Sequence, residues 1–306
     1  MAGRLKPQGP AAGRDDHIIS VVIPSLGRGT LRLCREALAK QTRPPDEVVV
    51  VVDEARRGPA WVRNEGIRRS RGDLIAFIDD DCVPPPTWLA ELTLAIDEWG
   101  AAGVGGTYDE SDPFYAALRA RRGFPRETRL DEGWVGAGGN LMYRRAWLER
   151  CRERDGHIFN ERFRISQDWE LAWRLRRHGA RLVFVGTRVR HLRRATPWAH
   201  LRQQFWRGRG IALLFAAQRQ ANGEVVVHKS LLWGQQGQAT GARWARAFWN
   251  KVVGPFDFSG LTSPAQAALF WLGEKCQGVG FVWQLLIDRF ASKPPQRVIE
   301  NMEDQS

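Results

Sequence analysis

Five valines in succession, Val48 to Val52, follow Glu47 in this 306-residue chain. β-branched side chains are stiff at χ1 and favour extended backbone, so the run reads as a strand. Being apolar on both faces, it is expected to lie centrally in a parallel sheet. Two further runs flank it, Ile18 to Ile23 and Leu74 to Ile78. Between them stand helical stretches, one from Thr30, which can cap it, and one opened by Pro59. A third helix is expected from Pro86 to about Trp99, and a fourth strand over Ala101 to Thr107. Strand alternating with helix at this spacing predicts an α/β protein with a doubly wound, mostly parallel sheet and flanking helices.

Ligands in such sheets bind at the carboxyl ends of the strands. Ser25, Asp53 and the triplet Asp79, Asp80 and Asp81 all fall at predicted strand ends. Three adjacent carboxylates repel one another, whereas a helix cap needs only one. A hard divalent cation, Mn²⁺ or Mg²⁺, takes carboxylate oxygens and would offset the repulsion. In extended backbone residues i and i+2 point the same way, which would put Asp79 and Asp81 on one face.

The second half is less regular. A glycine-rich stretch, Trp134 to Tyr143, leads into a helix from about Arg145. Asp168 to Gly179 reads as an amphipathic helix, and Arg181 to Val185 as a strand ending near His191. A helix rich in Trp and Arg should start at Thr196-Pro197 and break at Gly208-Arg-Gly210; residues 243–290 suggest Trp-rich apolar helices. Charge is unevenly spread. Residues 118–220 hold 24 Lys and Arg against 9 Asp and Glu, while residues 1–117 hold 14 against 18. This points to an anionic partner for the middle of the chain.

Read in order, several segments together resemble the GT-A glycosyltransferases of family 2, the inverting group. They are SVVIPSLGR (Ser20 to Arg28), VVVVDE (Val49 to Glu54), RNEGI (Arg63 to Ile67) and GDLIAFIDDD (Gly72 to Asp81). They continue with GGNLMYRR (Gly138 to Arg145), QDWELAWRL (Gln167 to Leu175) and VRHL (Val189 to Leu192). The resemblance implies a GT-A fold and a nucleotide-sugar donor, whether UDP-, dTDP- or GDP-linked. It implies nucleotide and donor contacts from Pro24, Ser25, Arg28, Asp53, Arg63, Asp79, Asp80, Gly139 and Asn140, with Gly138 alongside. Asp81 and His191 would hold the metal, and Asp168 would be the catalytic base. Arg207 and Arg209 would clamp the diphosphate or an anionic acceptor. The acceptor would be a hydroxyl on a glycan, a lipid-linked sugar or a secondary metabolite. Two departures stand out: Gln167 replaces the family's usual Glu before the base, and Asp53-Glu54-Ala-Arg replaces Asp-Asp-Gly-Ser.

Residues 1–16 are expected to be a disordered tail, 17–117 the nucleotide-sugar half, 118–220 the acceptor and catalytic half, and 221–306 a helical extension. The four cysteines, widely spaced, fit a reducing cytoplasm, and no apolar run is long enough to span a bilayer. Tryptophans 233, 244, 249, 271 and 283 suit peripheral contact at the inner face of a membrane, or a homodimer surface. A nucleic-acid-binding protein and a non-catalytic nucleotide-sugar binder are the competing readings; nucleic acid is not expected as a partner. A sugar-phosphate nucleotidyltransferase is disfavoured because its GxGTRL loop is absent.

Overall fold

A computed structural model describes residues 17–122, 129–130, 137–192, 196–222 and 263–291. The expected N-terminal tail and Trp233, Trp244 and Trp249 lie outside the described residues. The strands are β1 (Ile19–Ser25), β2 (Glu47–Val52), β3 (Leu74–Phe77), β4 (Cys82–Val83), β5 (Gly103–Glu110), β6 (Arg129–Leu130), β7 (Leu141–Arg144) and β8 (Leu182–His191). The helices are α1 (Leu31–Leu38), α2 (Pro59–Arg69), α3 (Trp88–Glu98), α4 (Pro113–Arg122), α5 (Arg145–Asp155), α6 (Gln167–Arg177), α7 (Pro197–Asn222) and α8 (Pro264–Ala291).

One sheet runs β2-β1-β3-β7-β5-β8-β4, with β6 beside β8. Pairings β1–β2, β1–β3 and β5–β8 are parallel; β7 runs antiparallel to both β3 and β5, so the sheet is mixed. Strand alternation sorts the core onto two faces. Ile19, Val21 and Ile23 pack with α1 and α3, through Leu38, Leu89 and Leu92. Val22, Ile75 and Phe77 face the other way and pack with α2, α5 and α6, through Ile67, Leu148 and Leu171.

Three expectations are corrected. The valine run is not central: among the described residues β2 is the sheet edge, with Val48 and Val52 exposed. Consecutive valines report β-propensity, which an edge strand satisfies as well as a buried one. Thr30 sits at the start of α1, but its hydroxyl makes no capping bond. The helix starting at Pro197 is not broken at Gly208-Arg-Gly210 but continues to Asn222, because those glycines admit neighbouring backbone. The boundaries expected at 117/118 and 220/221 both fall inside helices, α4 and α7.

Candidate active site

The carboxyl ends of β1, β2 and β3 lie side by side. Ser25 is in register with Val52, and the Asp53 amide donates to the Ser25 carbonyl at 2.9 Å. The chain then turns sharply after β3, where the Cys82 amide donates to the Asp79 carbonyl. Residues 80–81 are therefore a turn and not extended backbone, so the three aspartates diverge. Asp79 and Asp81 face different partners, contrary to the expectation of one shared face.

Asp80 is buried and points back at the β1 loop. It accepts from Ser25 Oγ (2.7 Å), the Leu26 amide (3.1 Å) and Arg28 Nη1 (3.2 Å). Its work is to shape the loop that carries Ser25 and Arg28. Asp81 accepts from Arg28 Nη1 at 2.8 Å through Oδ2, and its Oδ1 lies 3.3 Å from His191 Nε2. His191 arrives through the short antiparallel ladder of β4 with β8, where Cys82 pairs with His191 and the Leu192 amide donates to the Asp81 carbonyl. On its far side His191 Nδ1 lies 2.9 Å from Glu110 Oε2, and its ring stacks on Tyr108 at 4.5 Å. Burial would push the Asp81 carboxyl up, but the hydrogen bond and charge of His191, with Arg28, leave it below its ordinary range. Burial would likewise lower His191, and the bonds to Asp81 and Glu110 outweigh it and raise the imidazole.

Asp81, Cys82 and His191 lie close enough to surround one ion. The carboxylate and imidazole fit a divalent cation: cis ligands at about 2.1 Å stand roughly 3 Å apart, close to their separation here. Glu110 holds the outer nitrogen, as an imidazole ligand requires. The thiol does not fit, because burial pushes Cys82 well above its ordinary value, Asp79 and Asp81 adding to the effect. A neutral thiol is no ligand for Mn²⁺ or Mg²⁺.

Asp79 opens the second half of the site. It accepts from Arg63 Nη2 (3.1 Å) and Tyr108 Oη (2.9 Å). The same Tyr108 oxygen accepts from the Gly139 amide at 2.7 Å. Gly139 is pressed against this group: a Cβ there would lie 2.5 Å from Asp79 Oδ2 and 2.8 Å from Tyr108 Oη. At Gly138 a Cβ would lie 3.1 Å from Arg63 Nη2 and 3.3 Å from Asp168 Oδ2. The two glycines thus form a bare backbone strip between Asp79 and Asp168.

Asp168 stands in the first turn of α6, its Oδ1 accepting from the Trp169 amide at 3.1 Å. Burial pushes its carboxyl above the usual range, and the positive charge of Arg63 opposes this without cancelling it. Ser166, just before the helix, is left-handed with φ 72°, a conformation costing roughly 1–2 kcal/mol for a non-glycine residue. It is held by α7: a Cβ at Gly210 would lie 2.5 Å from the Ile165 carbonyl. Arg63 Nε and Nη1 and Gln167 Oε1 are buried with no hydrogen-bond partner among the described residues.

Other sequence-predicted residues do different work. Asp53 accepts the Arg57 and Gly58 amides, both at 2.7 Å, and so folds the loop into α2. Pro24 lies in β1 with Ser25, whose Oγ also accepts from the Gly27 amide. Asn140 is fully buried and does not reach a ligand surface. Its amide accepts from Trp88 Nε1 (2.8 Å) and donates to the Thr107 and Thr187 carbonyls. It ties α3 to β5 and β8 beneath the site. Arg209 faces α8, donating to Gln284 at 2.8 Å and covering Trp206; Arg207 is half-buried on the same helix. Sequence reasoning missed Tyr108 and Glu110, alternate residues at the end of β5. Their i, i+2 spacing after a glycine-rich strand was the available signal.

The description "Glycosyltransferase like family 2" matches residues 11–210, about two-thirds of the chain. The chain belongs to this glycosyltransferase family. Two curated relatives from Haloferax volcanii match over short stretches. The chain is 32% identical over 68 residues to glycosyltransferase AglE, and 35% over 63 residues to a glucosyl-dolichyl phosphate glucuronosyltransferase. These matches cover 22% and 20% of this chain and the same shares of the relatives, so the chain spans about a fifth of their length. A mannosyltransferase from Pyrobaculum calidifontis, solved with GDP-Man and Mn²⁺, superposes with a TM-score of 0.53. That superposition covers 89% of this chain and 88% of the other at 14% identity, and it shows a shared fold. The glycosyltransferase and GT-A fold implied by the resemblance are thus the family and the fold found. Among the described residues no helix is long and apolar enough to cross a membrane.

Proposed function

We propose that this glycosyltransferase is cation-dependent and inverting, moving a sugar from a nucleoside-diphosphate donor to an acceptor hydroxyl in a single displacement. The reading rests on one arrangement: the Gly138-Gly139 backbone strip, with Asp79 at one end and the raised carboxyl of Asp168 at the other. A sugar can lie on a floor without side chains. Arg63 pairs with Asp79 and acts on Asp168 through its charge, and its Nε and Nη1, without a hydrogen-bond partner among the described residues, suit oxygen acceptors of a donor. Asp79 lies beside that strip, where a ribose hydroxyl would be held, and the Ser25 to Arg28 loop would border the nucleotide.

Asp81 and His191 would hold Mn²⁺ or Mg²⁺, which when bound supplies Lewis-acid stabilisation of the departing diphosphate. The Asp168 carboxylate takes the proton from the acceptor hydroxyl as its oxygen attacks the anomeric carbon. Burial supports this role, since a carboxylate raised above its ordinary range is a stronger base once ionised. Attack opposite the leaving group inverts the anomeric centre without a covalent sugar–enzyme intermediate. The base of the donor (uridine, thymidine or guanosine) and the acceptor (glycan, lipid-linked sugar or secondary metabolite) are to be identified by a screen of nucleotide sugars with Mn²⁺.

The test is binding of nucleoside diphosphates with and without Mn²⁺, in wild type and Asp81→Ala. Wild type should bind at least about tenfold tighter with Mn²⁺, and Asp81→Ala should lose that gain. Equal binding in all four conditions would remove the cation from the reading.

A further inference from the structure

Gly138 and Gly139 are the two central residues of a β-turn, in which the Asn140 amide donates to the Ala137 carbonyl at 2.7 Å. Both ends of the turn are pinned to one residue of β5. The Ala137 amide donates to the Gly106 carbonyl at 2.8 Å, and the Gly106 amide to the Asn140 carbonyl at 3.0 Å. With its ends fixed, the turn keeps one internal freedom, rotation of the peptide between Gly138 and Gly139. That central peptide takes opposite orientations in type I and type II turns, and a glycine in third position makes type II accessible by admitting a positive φ. Neither glycine here has a positive φ, so the turn is held in one of the two orientations open to it.

Two side chains hold it there. The Gly138 carbonyl accepts from Arg63 Nη2 at 3.1 Å, and the Gly139 amide donates to Tyr108 Oη at 2.7 Å. These are the two polar groups of the same peptide unit. Arg63 and Tyr108 in turn meet on one carboxylate, Arg63 Nη2 donating to Asp79 Oδ1 at 3.1 Å and Tyr108 Oη to Asp79 Oδ2 at 2.9 Å. The phenol oxygen receives the amide proton, so its own proton goes to Asp79. Peptide, guanidinium, carboxylate and phenol therefore close a ring. Tyr108 is only 8% exposed, and its aromatic ring lies on that of His191, centroids 4.5 Å apart.

We infer that Tyr108 is a positioning residue with two separable parts: its hydroxyl locks the Gly138–Gly139 peptide, and its ring seats His191. The lock stands on the hydrogen bonds alone; its consequence for the donor rests on the proposed function. In the locked orientation the Gly139 N–H is engaged by the phenol and unavailable to a sugar hydroxyl, so the floor offers the sugar a peptide face of fixed tilt. Without the hydroxyl the amide loses its acceptor, Asp79 loses one of its two side-chain donors, and Arg63 alone holds the turn. The ring is a different matter, because phenylalanine preserves it. One residue of β5 thus joins the sugar half of the proposed site to its cation half, and the two parts can be removed one at a time.

The test compares Tyr108→Phe and Tyr108→Leu with wild type in the full chain, by two measurements. Amide hydrogen exchange at Gly139, followed by nuclear magnetic resonance, needs no ligand. In Tyr108→Phe it should quicken about tenfold, while the amides of β7 keep their wild-type rates. Binding is then measured with Mn²⁺ for the tighter-bound of UDP-glucose and GDP-mannose, and for its own diphosphate. Tyr108→Phe should hold the diphosphate within about twofold of wild type and bind the nucleotide sugar about tenfold more weakly. Tyr108→Leu should weaken the diphosphate about tenfold as well, since His191 loses its support. Unchanged Gly139 exchange in Tyr108→Phe would overturn the lock. A lowered melting temperature with an unchanged ratio of the two affinities would overturn the positioning role and leave Tyr108 a structural residue. Equal weakening of diphosphate and nucleotide sugar in Tyr108→Phe, or full diphosphate binding by Tyr108→Leu, would overturn the division between hydroxyl and ring. Wild type binding neither nucleotide sugar would count against the proposed function and not against the lock, which the exchange rates decide.

Discussion

Replacing Arg28 by glutamine should make the nucleotide-free protein bind Mn²⁺ more tightly. Arg28 Nη1 donates to Asp81 Oδ2 at 2.8 Å and Asp80 Oδ1 at 3.2 Å, so the guanidinium occupies the carboxylate of the proposed cation site. Asp80 would stay satisfied without it, through Ser25 Oγ and the Leu26 amide. The Arg28 side chain is about half exposed, and ion pairs of that kind are worth no more than about 1 kcal/mol. Relief of this competition therefore corresponds to about fivefold tighter Mn²⁺ binding, since 1.4 kcal/mol is tenfold. With nucleotide present the sign should reverse. The guanidinium is then free to pair with a diphosphate, and its loss should weaken nucleoside diphosphate binding roughly tenfold at saturating Mn²⁺. The assay is titration of free Mn²⁺ followed by electron paramagnetic resonance, then nucleotide titration at fixed Mn²⁺, with Asp81→Asn as the control that loses the ion. A correctly folded Arg28→Gln protein that binds Mn²⁺ no better than wild type would refute the competition.

The acid limb of the pH–rate profile should lie above the ordinary carboxylate range, because the proposed base Asp168 would work only when ionised and burial raises its pKa. Arg63→Met should move that limb to higher pH, since the Arg63 charge is what holds the carboxyl down; an unmoved limb would dissociate Asp168 from it. Gly139→Ala should cost about 1–3 kcal/mol in denaturant unfolding and abolish donor binding, as its methyl group would strike Asp79 and Tyr108. Asn140→Ala should destabilise by about 2–4 kcal/mol, measured in the same way, because three buried hydrogen bonds lose their common partner.

The first hundred residues were legible because their strands are short apolar runs bounded by turn residues, and three polar strand ends follow directly from that. What the pattern concealed was pairing. The two-residue β4 is too short to show any period, yet its ladder with β8 is what brings His191 to Asp81 across more than a hundred residues. The turn at Asp79 to Cys82 was equally hidden, since its hydrogen bond depends on the direction in which β4 leaves. Asn140 was expected to touch the donor because it lies in GGNLMYRR, one of the segments that carry the family resemblance. Its burial depends on Trp88, Thr107 and Thr187, which no local window contains. In α7 the glycines carry the opposite meaning from the one their propensity suggests: they mark where Gln277 and Ile165 press on the helix.

A floor made of Gly138 and Gly139 has nothing on it for mutation to reshape. Any added side chain there meets a carboxylate, a guanidinium or the Tyr108 hydroxyl, so sequence drift at these two positions closes the floor before it can retune it. On the proposed function, discrimination between one sugar and another is left to the walls. New donor preferences in this scaffold should arise by exchange of residues around the strip, while the strip itself stays the same.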